Sequence, residues 1–176
     1  LIEKDKSSLL IVDVQEKLVS VMPKPHTFID KITKLQKAAN ILGVPIILSE
    51  QYPKGLGKTI DKIKANMGVN NTIIEKTEFS APIKRNSSEK HFIICGIEAH
   101  VCVLQTAINL IDNNNDTKIY VVQDAVSSRY ENDYLIAFSR MDKYDNIEIV
   151  STEMVLFEWL RKSDTKEFKA ISKLIK

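Results

Sequence analysis

Three side chains of complementary chemistry stand where short apolar runs end. SLLIVD closes on Asp13, NTIIE is followed by Lys76, and HFIIC leads through a short turn to Cys102. Together they are the parts of a nucleophilic site. A thiol must lose its proton before it attacks, a carboxylate can accept that proton, and an ammonium steadies the negative charge that results. General-base assistance of this kind contributes about 10²–10⁴-fold. Each residue also has a plainer reading taken alone. Asp13 can be a helix cap or turn acid, Lys76 a solvated loop charge, and Cys102 a second buried thiol beside Cys95.

The elements that must hold these residues alternate along the chain. Apolar runs at 8–13, 44–49, 71–75, 91–95, 118–122 and 147–150 read as strands. Between and after them lie helical patterns at 27–42, 59–66, 101–112, 131–143, 152–161 and 164–175. Gly43 stands where the first of these helices should stop. The segment 50–58 reads as a loop because of Pro53, Gly55 and Gly57. In the last helix Phe168, Ile171, Leu174 and Ile175 share a face that should dock on the body. Apolar strands separated by helices imply a parallel sheet covered on both faces. The expectation is one domain over residues 1–176, a three-layer α/β/α sandwich. Ligands of such sheets bind outside the carboxyl ends of the strands, where strand order reverses. Cys102 falls at the start of helix 101–112, where the dipole and unpaired N–H groups favour a thiolate.

Composition narrows the function classes. The chain has 176 residues, is 44% apolar and carries a net charge of +2, with both signs mixed along its length. A nucleic-acid or membrane partner usually needs a one-signed patch or stripe, so neither is expected. No apolar run approaches the roughly 18 residues of a membrane span. Two cysteines make no disulfide framework, and a reducing, cytoplasmic setting is the simpler reading. Because the chain opens on Leu1, an upstream targeting segment is left open.

Four separated segments, in order, resemble the isochorismatase-like cysteine hydrolases: DVQ at 13–15, EKTEFSA at 75–81, GIEAHVCVLQTA at 96–107 and VVQDAVSSR at 121–129. The segment EQYPKGLG at 50–57 looks like the small single-domain branch called isochorismatase domain-containing proteins. The resemblance implies six parallel strands in the Rossmann-like order 3-2-1-4-5-6, with Asp13 and Cys102 across the switch point and Lys76 beside them. It implies an Asp13, Lys76, Cys102 triad. It also implies a cis peptide between Ile97 and Glu98, and an oxyanion hole made by the N–H groups of Glu98 and Cys102. Losing one such donor typically costs about 2.7–4 kcal/mol of transition-state stabilisation. A homo-oligomer is implied as well. Departures from better-known members bear on the pocket. The loop SEQYPKGLG has no histidine, so no metal and no cofactor are expected. Leu18 stands where nicotinamidases often carry an aromatic residue, and Ala99 where the family often has threonine.

Other motifs compete for attention. KGLGKT at 54–59 hints at a phosphate loop, but Tyr52 occupies the position of its first glycine and Pro53 lacks an N–H. Gln51 and Tyr52 are either pocket residues or loop packing, and Phe79 is either a pocket wall or core. Gln15, beside Asp13, joins the pocket candidates. His100 lies close to Cys102, but its ring should point away from the thiol, which suits a pocket or interface role. Ser127, Ser128 and Arg129 suit a ligand anchor, an interface or a structural loop. The reading reached is a metal-independent cysteine hydrolase acting on a small amide, carbamate or related acyl substrate through a thioester on Cys102. A weakly catalytic binding or regulatory module on the same scaffold is a second reading. Hydrolysis of a vinyl ether of the isochorismate type is a third.

Overall fold

The structure, a computed structural model, describes residues 1–68, 71–84, 90–111 and 116–175. Its centre is a parallel six-stranded sheet in the order β3-β2-β1-β4-β5-β6. The strands are β1 (Ser7–Val12), β2 (Ile46–Gln51), β3 (Thr72–Lys76), β4 (His91–Ile97), β5 (Lys118–Ser127) and β6 (Ile147–Val150). All six residues of β1 are buried. Leu9 and Ile11 belong to one apolar cluster, Leu10 and Val12 to the other. A strand covered on both faces has no solvated side, which is why it reads as a continuous apolar run rather than an alternation.

One layer holds α2 (Pro25–Leu42), α7 (Thr152–Leu160) and α8 (Phe168–Ile175); the other holds α5 (Leu104–Ile111) and α6 (Glu131–Met141). Helix α2 presents Phe28, Ile32, Leu35 and Ala39 to the sheet and ends at Gly43, whose φ of 74° suits glycine. Ile171 of α8 is fully buried, and Phe168, Leu174 and Ile175 pack against the same core. Trp159 of α7 is buried too, and its Nε1 donates to Ser7 Oγ at 3.1 Å.

Several boundaries depart from expectation. Strand β2 begins at Ile46 and runs on to Gln51, into the segment read as loop. That segment also contains a helical turn, α3 (Pro53–Leu56), and α4 (Asp61–Lys64) is shorter than the expected 59–66. A further turn, α1 (Glu16–Val19), follows Asp13. Strand β5 continues to Ser127, because its register against β4 shifts between Ile94 and Gly96 and accommodates the polar Gln123 and Asp124. The helix expected at 101–112 is two elements, a π-helical turn at Ala99–Val103 and then α5. Its last expected residue lies outside the described ones. Helix α8 begins at Phe168, later than the expected 164.

Candidate active site

Strand order reverses between β1 and β4, and the two strands touch there more closely than side chains allow. A Cβ on Gly96 would stand 2.1 Å from the Val12 carbonyl oxygen, and Gly96 has φ of 116°. Only glycine fits both the space and the backbone. Immediately after Val12 the chain turns at Asp13, which has a left-handed φ of 51°. The turn leaves the Asp13 carboxylate fully buried at the carboxyl edge of the sheet.

Lys76, at the end of β3, reaches this carboxylate across β2. Its Nζ donates to Asp13 Oδ2 at 2.7 Å, and both side chains are essentially inaccessible. Nζ also donates to Gln51 Oε1 at 2.6 Å and to the carbonyls of Glu78 and Phe79 at 3.2 and 3.0 Å. These acceptors take up all the donor capacity of the Lys76 side chain. Ser49 Oγ donates to the other carboxylate oxygen, Asp13 Oδ1, at 2.7 Å. Ser49 was not a sequence candidate. Its signal was register: it pairs with Val12, which places it beside Asp13.

Cys102 lies on the π-helical turn and is only 6% exposed. It lies near enough to Asp13 and Lys76 for both charges to bear on its thiol. Burial pushes the thiol pKa up, to about 12; the Asp13 charge adds to the rise, and Lys76 pulls against it. This corrects the expectation of a thiolate favoured by a helix start. The residue sits before α5 rather than on its first turn, and desolvation outweighs the favourable charges. The resting thiol is neutral, close enough to feel the charges of a carboxylate and an ammonium.

Glu98 opens this turn. Its carbonyl accepts from the N–H groups of Val101 and Val103, each at 3.2 Å. Its own N–H donates to no described residue, although Glu98 is buried. Buried backbone donors without partners are rare. The Ile97–Glu98 peptide bond is cis. The Glu98 side chain is clamped: Oε2 accepts from the Arg129 N–H at 3.0 Å and from Arg129 Nε at 3.1 Å.

The remaining candidates divide. Gln15 is a strut rather than a wall: its amide donates to the carbonyls of Gln51 and Gly57, and its oxygen accepts from the Gln51 N–H. Gln51 is likewise committed, donating to the Thr77 carbonyl while its oxygen holds Lys76. Leu18 packs against the hydrophobic core. His100 is engaged elsewhere, with Nδ1 3.0 Å from Ser128 Oγ and Nε2 3.8 Å from Asp133 Oδ2. Tyr52 lines a cleft of about 500 Å³ beside Lys76, together with Pro53, Pro82, Glu75 and Glu78. Phe79 is about half exposed next to it. The loop after β2 is stapled from beneath, since Glu50 Oε1 accepts from both the Thr59 N–H and its hydroxyl. Among the described residues, no three His, Cys, Asp or Glu side chains cluster as ligands for a metal ion. No helix among them is long and apolar enough to cross a membrane.

Known proteins share this arrangement of elements. The MAR1 ribonuclease structure from Caenorhabditis elegans superposes with a TM-score of 0.92 at 38% identity, over 99% of this chain and 91% of that one. Isochorismatase family protein 1B of Dictyostelium discoideum is 36% identical, over 98% of this chain and 87% of that protein. Isochorismatase domain-containing protein 2 of Danio rerio is 35% identical, over 96% and 86% respectively. The Isochorismatase domain itself matches residues 7–154, from the first residue of β1 into α7. A parallel sheet in this order, matched over nearly its whole length, has one consequence: the chain belongs to the isochorismatase family and shares its hydrolase fold.

Proposed function

We propose that this protein is a cysteine hydrolase that cleaves a small amide, carbamate or related acyl compound through a thioester on Cys102. One observation carries the reading: a buried carboxylate–ammonium pair, Asp13 and Lys76 joined at 2.7 Å, stands at the carboxyl edge of the sheet with the buried Cys102 thiol within reach of both charges. As the substrate carbonyl approaches, Asp13 takes the thiol proton and the sulfur attacks the carbonyl carbon. The carbonyl π electrons move to oxygen, where the N–H groups of Glu98 and Cys102 receive the negative charge. The intermediate collapses, the carbon–nitrogen bond breaks, and the leaving amine takes the proton from Asp13. Water then attacks the thioester and gives a proton to Asp13. The second intermediate expels the sulfur, which recovers that proton as the acid product departs. Lys76 keeps the Asp13 charge balanced throughout.

The test is a panel of small amides and carbamates, with intact-protein mass spectrometry after rapid quenching. The expected result is turnover together with an acyl adduct on Cys102, both absent in Cys102→Ala. An adduct that forms without turnover would favour the binding or regulatory reading. Hydrolysis of a vinyl ether at an unchanged rate in Cys102→Ala would favour the third. The ribonuclease name of the nematode neighbour supplies one more arm. A short RNA oligonucleotide cut by the wild type would displace the acyl reading if cutting persisted in Cys102→Ala.

A further inference from the structure

Resting on the nucleophile reading above, we infer that Arg129 is a positioning residue that aims the Glu98 N–H at the developing oxyanion. The argument starts from how Glu98 is held. Its carbonyl is taken up by the π-helical turn, through Val101 and Val103. Its side chain is taken up by Arg129, which donates both a backbone N–H and Nε to one carboxylate oxygen. The N–H between these two anchors has no described partner. A donor held in place yet unspent is what stabilises charge appearing only in the transition state, because nothing must reorganise when the charge arrives.

The clamp comes from a different element. Arg129 follows β5, while Glu98 follows β4, and β5 pairs with β4 as far as Ile97 opposite Ser127. The residue between, Ser128, meets the His100 ring at 3.0 Å. Thus consecutive residues of one loop grip Glu98 and His100, on either side of Ala99, within the turn that carries Cys102. The ion pair is asymmetric in exposure: the Glu98 side chain is 9% accessible and that of Arg129 48%. The guanidinium also lies over the Tyr130 ring, 5.9 Å from its centroid. A partly exposed cation of this kind can be altered with less disturbance to the core than a buried one.

The discriminating feature is that only acyl transfer builds an oxyanion. Alkylation of the same thiol by iodoacetamide displaces iodide and does not. Two reactions at Cys102 should therefore be timed by mass spectrometry in the full-length protein: acylation by p-nitrophenyl acetate and alkylation by iodoacetamide. Arg129→Ala should slow acylation about tenfold or more, a fraction of the roughly 10²–10³-fold expected for outright loss of an oxyanion donor. Alkylation should change less than about threefold, because no oxyanion forms for the donor to stabilise. Arg129→Lys should recover part of the acylation rate, and Glu98→Gln should show the same selectivity if Arg129→Ala does not fold. Acylation and alkylation slowed equally, or neither slowed, would overturn the inference while leaving Cys102 as nucleophile. No acyl adduct at Cys102 in the wild type would overturn both.

Discussion

Two buried cysteines, on neighbouring stretches of one chain, have opposite surroundings. Cys95 lies within β4, fully inaccessible, with its Sγ 3.7 Å from the Leu10 carbonyl as its polar contact. Burial pushes its pKa far up, and Asp124 adds to the rise. Cys102 lies just past the strand end, also buried, and burial is the largest influence on it as well. What separates them is the company. Cys102 lies within reach of the charges of a carboxylate and an ammonium, the groups that the proposed mechanism uses; Cys95 meets a carbonyl and side chains of the core. Depth alone makes a thiol inert, and reactivity comes from groups placed to act when a substrate arrives.

The strongest challenge to this contrast is to remove each thiol in turn. Cys102→Ala should abolish turnover, by about 10⁴-fold or more, while Cys95→Ala should keep nearly full activity and lose about 1–2 kcal/mol of stability through a small cavity. Substantial activity in Cys102→Ala, measured on any substrate the wild type hydrolyses, would erase the distinction. Next in size is Lys76→Met. It strands the Asp13 carboxylate, so stability should fall by about 3–5 kcal/mol and acylation of Cys102 by about 10²–10³-fold. Adding Asp13→Asn should restore part of the stability and none of the activity, as followed by urea unfolding and by adduct formation.

A smaller effect is expected of Gln51→Ala, which frees Lys76 from one acceptor. Activity should drop about tenfold, with a stability loss of about 1–2 kcal/mol. An unchanged rate would show that the other three acceptors suffice. A last effect is in pH. The Cys102 thiol stays protonated in the folded chain to about pH 12 but ionises near 9 when unfolded. Between those values the unfolded state binds fewer protons, so stability falls as pH rises from about 9. The melting temperature of Cys102→Ala should decline less steeply over that window than that of the wild type, and parallel curves would contradict the raised pKa.

The legible parts of the molecule are those that depend on burial pattern. β1 reads as a strand because both its faces are covered, and its end marks Asp13 without reference to any other residue. Lys76 and Cys102 are visible in the same way, at or just past the ends of β3 and β4. Less legible are features that depend on register or on a few degrees of backbone. Over five residues an apolar pattern does not separate a π-helical turn from the start of an α-helix, so Cys102 reads as belonging to α5. Pro53, Gly55 and Gly57 read as loop signals although they frame the turn α3. Ser49 reaches Asp13 from the neighbouring strand and Arg129 reaches Glu98 from the loop after β5, and which side chain faces which follows from alignments that local pattern does not encode. The charge state of the thiol is not legible from a helix-start argument, which weighs the dipole and omits desolvation.

The buried Lys76–Asp13 pair has a consequence for the electrical bookkeeping of the whole proposed cycle. At rest the carboxylate, the ammonium and the neutral thiol sum to zero. After attack the protonated acid, the ammonium and the oxyanion again sum to zero, and so do the acyl-enzyme and its released amine. Charge moves a short distance inside the protein and never enters or leaves it. For an uncharged substrate, the chemical step should therefore be nearly indifferent to ionic strength, because screening by salt acts on fields that reach the solvent and not on a dipole turned within a sealed site.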